Sequence, residues 1–98
     1  DEDIAGLHYG VSKAGLIHLT KEMAVRLAKK NIKVNCIAYG GVEGRVDEDF
    51  KKRYSSLSPM GRMLKETDLF GPINMFLSDQ SSAITGQTLV VDGGWTIW

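Results

Sequence analysis

A tyrosine and a lysine four residues apart, Tyr9 and Lys13, are the side chains in this sequence best placed to do chemistry. On a helix that spacing sets phenol and ammonium on one face, one turn apart. A neighbouring cation favours phenolate and draws a tyrosine pKa down from its usual value of about 10. Such a phenol can give and take a proton near neutral pH. The spacing alone also arises by chance, and a solvated lysine beside a rim tyrosine is its bland reading, so the surrounding sequence carries the weight. Too few residues precede Tyr9 to hold a cofactor. His8 and His18 lack metal-ligand spacing with Cys36 or with each other, and no metal site is expected.

The pair needs a helix to present it. Tyr9 to Lys30 reads as one, with stripes Leu16, Leu19, Met23, Leu27 and Ala14, Ile17, Ala24, Ala28. A surface helix shows a single apolar stripe, so two imply packing on two sides. Lys29-Lys30-Asn31 ends it with positive charge and a residue that tolerates the left-handed conformation. Ile32 to Ala38 reads as a strand rich in β-branched residues, stopped by Gly40-Gly41. A short charged helix is expected from Val46 to Leu57, then a turn at Ser58 to Arg62. Thr67 or Asp68 would cap a third helix reaching Leu77, with Pro72 near its first turn. After a loop from Ser78 to Gly86, Thr88 to Val91 forms a second strand closed by Asp92-Gly93-Gly94. The Asp92 carboxylate is positioned to cap N–H groups of that turn.

Composition narrows the function classes. The 98 residues carry 12 basic and 12 acidic side chains, for a net charge of zero. No basic stripe supports nucleic-acid binding. Lys51-Lys52-Arg53 follows Asp47-Glu48-Asp49 and reads as a solvated helix face. No apolar run approaches the roughly 20 residues of a membrane span, and the sequence opens with Asp1-Glu2-Asp3, so no signal peptide is expected within it. The missing initiator methionine suggests a piece of something longer. The single Cys36 lies in an apolar run and reads as a buried free thiol, compatible with a reducing cytoplasm. Met60, Met63 and Met75 read as core or pocket filler.

The element order is helix, strand, helix, helix, strand. Alternation of this kind implies parallel pairing through right-handed crossovers, an α/β class. Two strands alone are marginal in water, and parallel sheets need both faces covered. The segment therefore reads as the edge of a larger sheet.

The landmarks, in order, are Tyr9-Gly10-Val11-Ser12-Lys13-Ala14, Val34-Asn35, Gly40-Gly41-Val42, Pro59-Met60-Gly61-Arg62, Phe76-Leu77-Ser78-Asp79, Ile84-Thr85-Gly86-Gln87 and Val91-Asp92-Gly93-Gly94. In this order and spacing the chain resembles the C-terminal half of the short-chain dehydrogenases/reductases, from His8 to about Trp95. The resemblance implies that residues 1–98 are the C-terminal segment of one Rossmann-like, doubly wound parallel sheet domain, without its N-terminal cofactor-binding half. It implies an NAD(P)-dependent oxidoreductase that interconverts a carbonyl and a secondary alcohol by hydride transfer on a small-molecule substrate. Tyr9 would be the general acid or base. Lys13 would hold the nicotinamide ribose and lower the tyrosine pKa. Gly40, Gly41 and Val42 would bring backbone to the nicotinamide amide, as expected for a ligand outside the carboxyl end of a strand. The cofactor would be NAD or NADP.

Two positions depart from the family pattern. Tyr39 stands where a proline usually precedes the first glycine, which would free the loop. Gly44 stands where a Thr or Ser is common, which would remove a cofactor contact. Glu43 to Leu57 corresponds to the substrate lid and carries Arg45, Arg53 and Tyr54; its charged side chains would meet an anionic substrate, and a solvated mobile helix is its bland reading. The family also implies a cytoplasmic homodimer or homotetramer built through the 9–30 helix and the C-terminal strand, with Trp95 and Trp98 in cross-subunit contact. The competing reading is a non-catalytic fragment or oligomerisation module on the same fold.

Overall fold

The computed structural model describes residues 2–97, with side chains from Gly10 to Ile97. Its elements are α1 (Glu2–Leu27), β1 (Cys36–Tyr39), α2 (Glu48–Leu57), α3 (Phe70–Leu77) and β2 (Thr88–Val91), punctuated by short 3₁₀ turns. The helix, strand, helix, helix, strand order of an α/β chain is therefore present. The chain divides into two compact units, Asp1–Cys36 with Ser82–Thr88 and Ile37–Ser81 with Leu89–Trp98.

In the first unit, α1 is followed by a 3₁₀ turn at Ala28–Lys30 and stopped by Asn31 in the left-handed conformation (φ 58°). Neither expected stripe is buried as a whole: in the second, Ala14 and Ala28 are exposed. Ala24 is buried, with Thr20 beside it and Ile17 and Leu27 half-buried. Leu16, Leu19 and Met23 remain 54%, 51% and 40% exposed. The buried line Lys13, Ile17, Thr20, Ala24, Leu27 advances by three and four residues and forms a single helix face. Thr20 satisfies its own hydroxyl on Leu16 C=O at 2.8 Å, so a polar residue sits on that face without an orphaned group.

The expected strand at Ile32 shrinks to begin at Cys36. The reason lies in the hydrogen bonds of the preceding residues. Val34 N–H donates to the Thr85 hydroxyl at 3.1 Å, Gly86 N–H donates to Val34 C=O at 2.8 Å, and Asn35 Nδ2 donates to Ile84 C=O at 2.9 Å. Asn35 Oδ1 accepts Gln87 N–H at 3.1 Å. Side chains share the bonding with the backbone there. Two landmarks nearly fifty residues apart, Val34-Asn35 and Ile84-Thr85-Gly86-Gln87, are thus stapled together.

β1 and β2 form a two-stranded sheet. Cys36 N–H donates to Gln87 C=O and Gly40 N–H to Val91 C=O, both at 2.9 Å, so donor and acceptor advance together and the strands are parallel. This register turns the peptide groups of Ile37 and Tyr39 to the opposite edge of β1, which has no strand partner among the described residues.

In the second unit, α2 starts at Glu48 because the Asp47 carboxylate caps Phe50 N–H at 2.7 Å. The expected cap of the third helix is also revised. Asp68 reaches back to accept Lys65 N–H at 2.8 Å from within the 3₁₀ turn Glu66–Leu69, and α3 follows with Pro72 at its third residue. Asp68 also pairs with Arg62 at 2.7 Å. That guanidinium's hydrogen bond, then Lys65 N–H, holds the Asp68 carboxyl below its usual range. Met63 and Leu64 are the buried apolar residues of this unit. Met60 and Met75 are exposed rather than core, and Cys36 is a half-buried free thiol rather than a fully buried one.

Among the described residues the buried apolar side chains are Ala24, Met63 and Leu64, so the burial term they supply, about 25 cal/mol per Å², is small. The edge-piece expectation and the sparse core agree.

Candidate active site

Tyr9 and Lys13 both lie within α1, four residues apart on unbroken helix. The Tyr9 side chain, like that of His8, lies outside the described residues. Lys13 is half-buried on the same line as Ile17, Thr20 and Ala24. The helix thus supplies the spacing that the chemistry needs.

Gly40, Gly41 and Val42 belong to the second unit, at the carboxyl end of β1. Their positions are fixed by bonds from distant residues. Gly40 N–H reaches Val91 C=O, as described. Gly41 N–H donates to the Tyr54 hydroxyl at 2.9 Å. Gly41 C=O accepts Leu64 N–H, and Glu43 N–H donates to Leu64 C=O, both at 2.8 Å, making a parallel bridge centred on Val42. In such a bridge the central residue turns its own N–H and C=O away from the partner strand. Val42 therefore presents one donor and one acceptor side by side on the face opposite Leu64. A primary carboxamide, which has one acceptor and one donor group, complements that edge.

The two departures from the family pattern now have structural accounts. Tyr39 does not leave the loop free: its hydroxyl donates to Leu69 C=O at 2.7 Å, a tether from the strand end to the turn before α3. Gly44 has φ +127°, a conformation that strains any L side chain, so a Thr or Ser is excluded by the backbone path itself.

Around this loop, Asp92 accepts Gly94 N–H at 3.0 Å and Thr96 N–H at 3.1 Å, the capping role read from the sequence. Burial pushes its carboxyl up, but the hydrogen bonds from Thr96, Gly94 and Trp95 outweigh it and leave the pKa below the usual value. Trp95 stacks on Tyr54 of the same chain, ring centroids 4.2 Å apart and 15° from parallel. Trp98 lies outside the described residues. Arg45 and Arg53 are exposed, while Lys51 pairs with Glu43 at 3.2 Å. His18 sits on the solvent side of α1 beside Glu22 at 3.3 Å. Among the described residues no cluster of three or more His, Cys, Asp or Glu could hold a metal, and no helix is long and apolar enough to cross a membrane.

Tyr54 and Asn35 are the residues whose structural importance the sequence did not signal. Tyr54 reads as one polar residue on a charged helix, and Asn35 as part of a landmark. Only the long-range partners identify their work.

Comparison with known proteins places this geometry. A family model described as enoyl-(acyl carrier protein) reductase matches residues 3–96. The chain is 41% identical over 91 residues to the post-translational flagellin modification protein A of Campylobacter coli, covering 93% of this chain and 36% of that protein. It is 42% identical over 94 residues to the 3-oxoacyl-(acyl-carrier-protein) reductase of Thermotoga maritima, covering 92% of this chain and 38% of that protein. A crystal structure of a short chain dehydrogenase from Leptospira borgpetersenii with bound NAD+ superposes with a TM-score of 0.84 at 42% identity, over 90% of this chain and 35% of the other. The chain thus spans little more than a third of the length of these relatives, and its α/β elements are an incomplete Rossmann-like fold.

Proposed function

The chain belongs to the short-chain dehydrogenase/reductase family, and on that premise we propose that residues 1–98 are the C-terminal segment of a single Rossmann-like domain in an NAD(P)-dependent oxidoreductase. The reaction is the interconversion of a carbonyl and a secondary alcohol on a small molecule.

The observation that carries the reading is the four-residue spacing of Tyr9 and Lys13 on unbroken helix. The Val42 edge supports it from the second unit and fits a nicotinamide carboxamide. When bound, the nicotinamide nucleotide supplies or accepts the hydride. Tyr9 gives a proton to the carbonyl oxygen as that oxygen becomes alkoxide-like, and in the reverse direction takes it from the alcohol. Lys13 keeps the phenol acidic enough to do so and holds the nicotinamide ribose hydroxyls. Val42 and the two glycines meet the carboxamide with backbone. The phosphate-binding turn of such a domain belongs to sequence outside these 98 residues.

The assembly is a homodimer or homotetramer using α1 and the C-terminal strand. The exposed Leu16, Leu19, Met23 line on α1 and the half-exposed Val90 on β2 support it. The free thiol of Cys36 suits a reducing cytoplasm.

The test is Tyr9→Phe in the full-length protein. Turnover falls by about a hundred- to ten-thousandfold while cofactor affinity is largely kept. A variant with a near wild-type rate removes Tyr9 from the mechanism.

A further inference from the structure

The peptide between Gly40 and Gly41 is a place in the second unit where the backbone has much freedom to lose. Two successive residues lack Cβ atoms, and no proline precedes them. Strand partners hold the Gly40 N–H, the Gly41 C=O and the Glu43 N–H. The Gly41 N–H is different: its partner is a side chain from α2, the Tyr54 hydroxyl at 2.9 Å.

The fit between Tyr54 and Gly41 is close on every side. A Cβ at residue 41 would lie 2.8 Å from Tyr54 Cζ, 2.9 Å from Cε2 and 3.0 Å from Met63 Cε. The ring is held by its stack on Trp95, whose own turn is capped by the Asp92 carboxylate, and Phe50 packs at 6.1 Å one turn earlier on α2. Support thus runs from Asp92 through Trp95 and Tyr54 to the Gly41 amide, one residue before the Val42 edge.

We infer that Tyr54 is a positioning residue for the nicotinamide end of the cofactor. Its hydroxyl fixes the tilt of the 40–41 peptide and so aims the Val42 N–H and C=O at the carboxamide. This rests on the proposed cofactor role of residues 40–42. It also ties α2 to the loop, so that the helix and the carboxamide contact are set together. Tyr54 touches the loop and not the reacting atoms, so its effect falls on binding of one end of the cofactor.

The experiment compares wild type with Tyr54→Phe in the full-length protein, since phenylalanine keeps the ring and the stack and removes only the hydroxyl. Each is titrated with NADH, NADPH and, as a probe lacking nicotinamide, ADP-ribose or its 2′-phosphate. The Kd for the preferred nicotinamide cofactor rises about three- to tenfold, and the Kd for the ADP-ribose probe is unchanged. Equal weakening of both, or of neither, overturns the inference. Hydrogen exchange at the Gly41 amide gives a second readout: it is protected in wild type and faster in the variant. Wild-type exchange as fast as an open amide overturns the inference without any ligand. A wild type that binds neither NADH nor NADPH while Gly41 stays protected brings the positioning role down through the cofactor reading instead, and the two failures are thereby told apart.

Discussion

The helix α1 and the Gly40–Glu43 loop are built on opposite principles. α1 satisfies its backbone within itself, residue to residue four apart, and carries Tyr9 and Lys13 as a matter of spacing. The Gly40–Glu43 loop satisfies its backbone on partners 13 to 51 residues away: Tyr54, Leu64 and Val91. The first can be written in a short stretch of sequence. The second exists only when several distant stretches are folded together. A proton-transfer pair can ride on the local kind of structure, whereas the backbone edge that would meet a cofactor depends on the cooperative kind.

The sharpest way to break that contrast is Gly41→Ala. The new methyl group has no room beside the Tyr54 ring, and we expect about 1–3 kcal/mol of destabilisation by chemical denaturation of the full-length protein. The same change at Gly15 in α1, where a Cβ meets nothing within 4 Å, is neutral to stabilising by up to about 1 kcal/mol. Equal effects at the two positions would erase the distinction. Asn35→Ala tests whether the first unit has a cooperative part of its own. It removes the bonds to Ile84 C=O and from Gln87 N–H, and about 1–2 kcal/mol should be lost. An unchanged melting curve would show that the staple is decorative.

Acid titration is the gentlest probe. Asp92 and Asp68 have pKa values depressed in the folded chain. Each therefore contributes stability that is present above its unfolded value, near 3.9, and that drains away as pH falls through the lower folded value. A stability profile below about pH 4 should steepen relative to Asp92→Asn, and the variant should lose part of that acid limb. A profile identical in both proteins would deny Asp92 its capping role.

Legibility followed the same division. Thr88–Val91 was readable residue for residue, since β-branched and apolar residues end abruptly at Asp92-Gly93-Gly94. α1 was readable as a helix, but not which of its stripes is buried, because the choice of face depends on what packs against it. β1 was over-extended from the sequence because Val34 and Asn35 have strand-like character, yet their hydrogen bonds go to Thr85, Gly86, Ile84 and Gln87. The Gly40-Gly41-Val42 loop was legible as a place, not as an arrangement. Tyr39 looked like the loss of a restraint, and its hydroxyl turned out to supply another one on Leu69. Nothing local to Tyr54 hints at Gly41, thirteen residues earlier.

The indole of Trp95, lying flat on the phenol of Tyr54, gives the molecule an optical gauge of its own. Residues 1–98 hold two tryptophans, so with Trp98 replaced by phenylalanine the indole emission of this segment would come from Trp95 alone. Its colour and intensity would then report, without any attached dye, how often the ring beneath it lifts away from the glycine backbone.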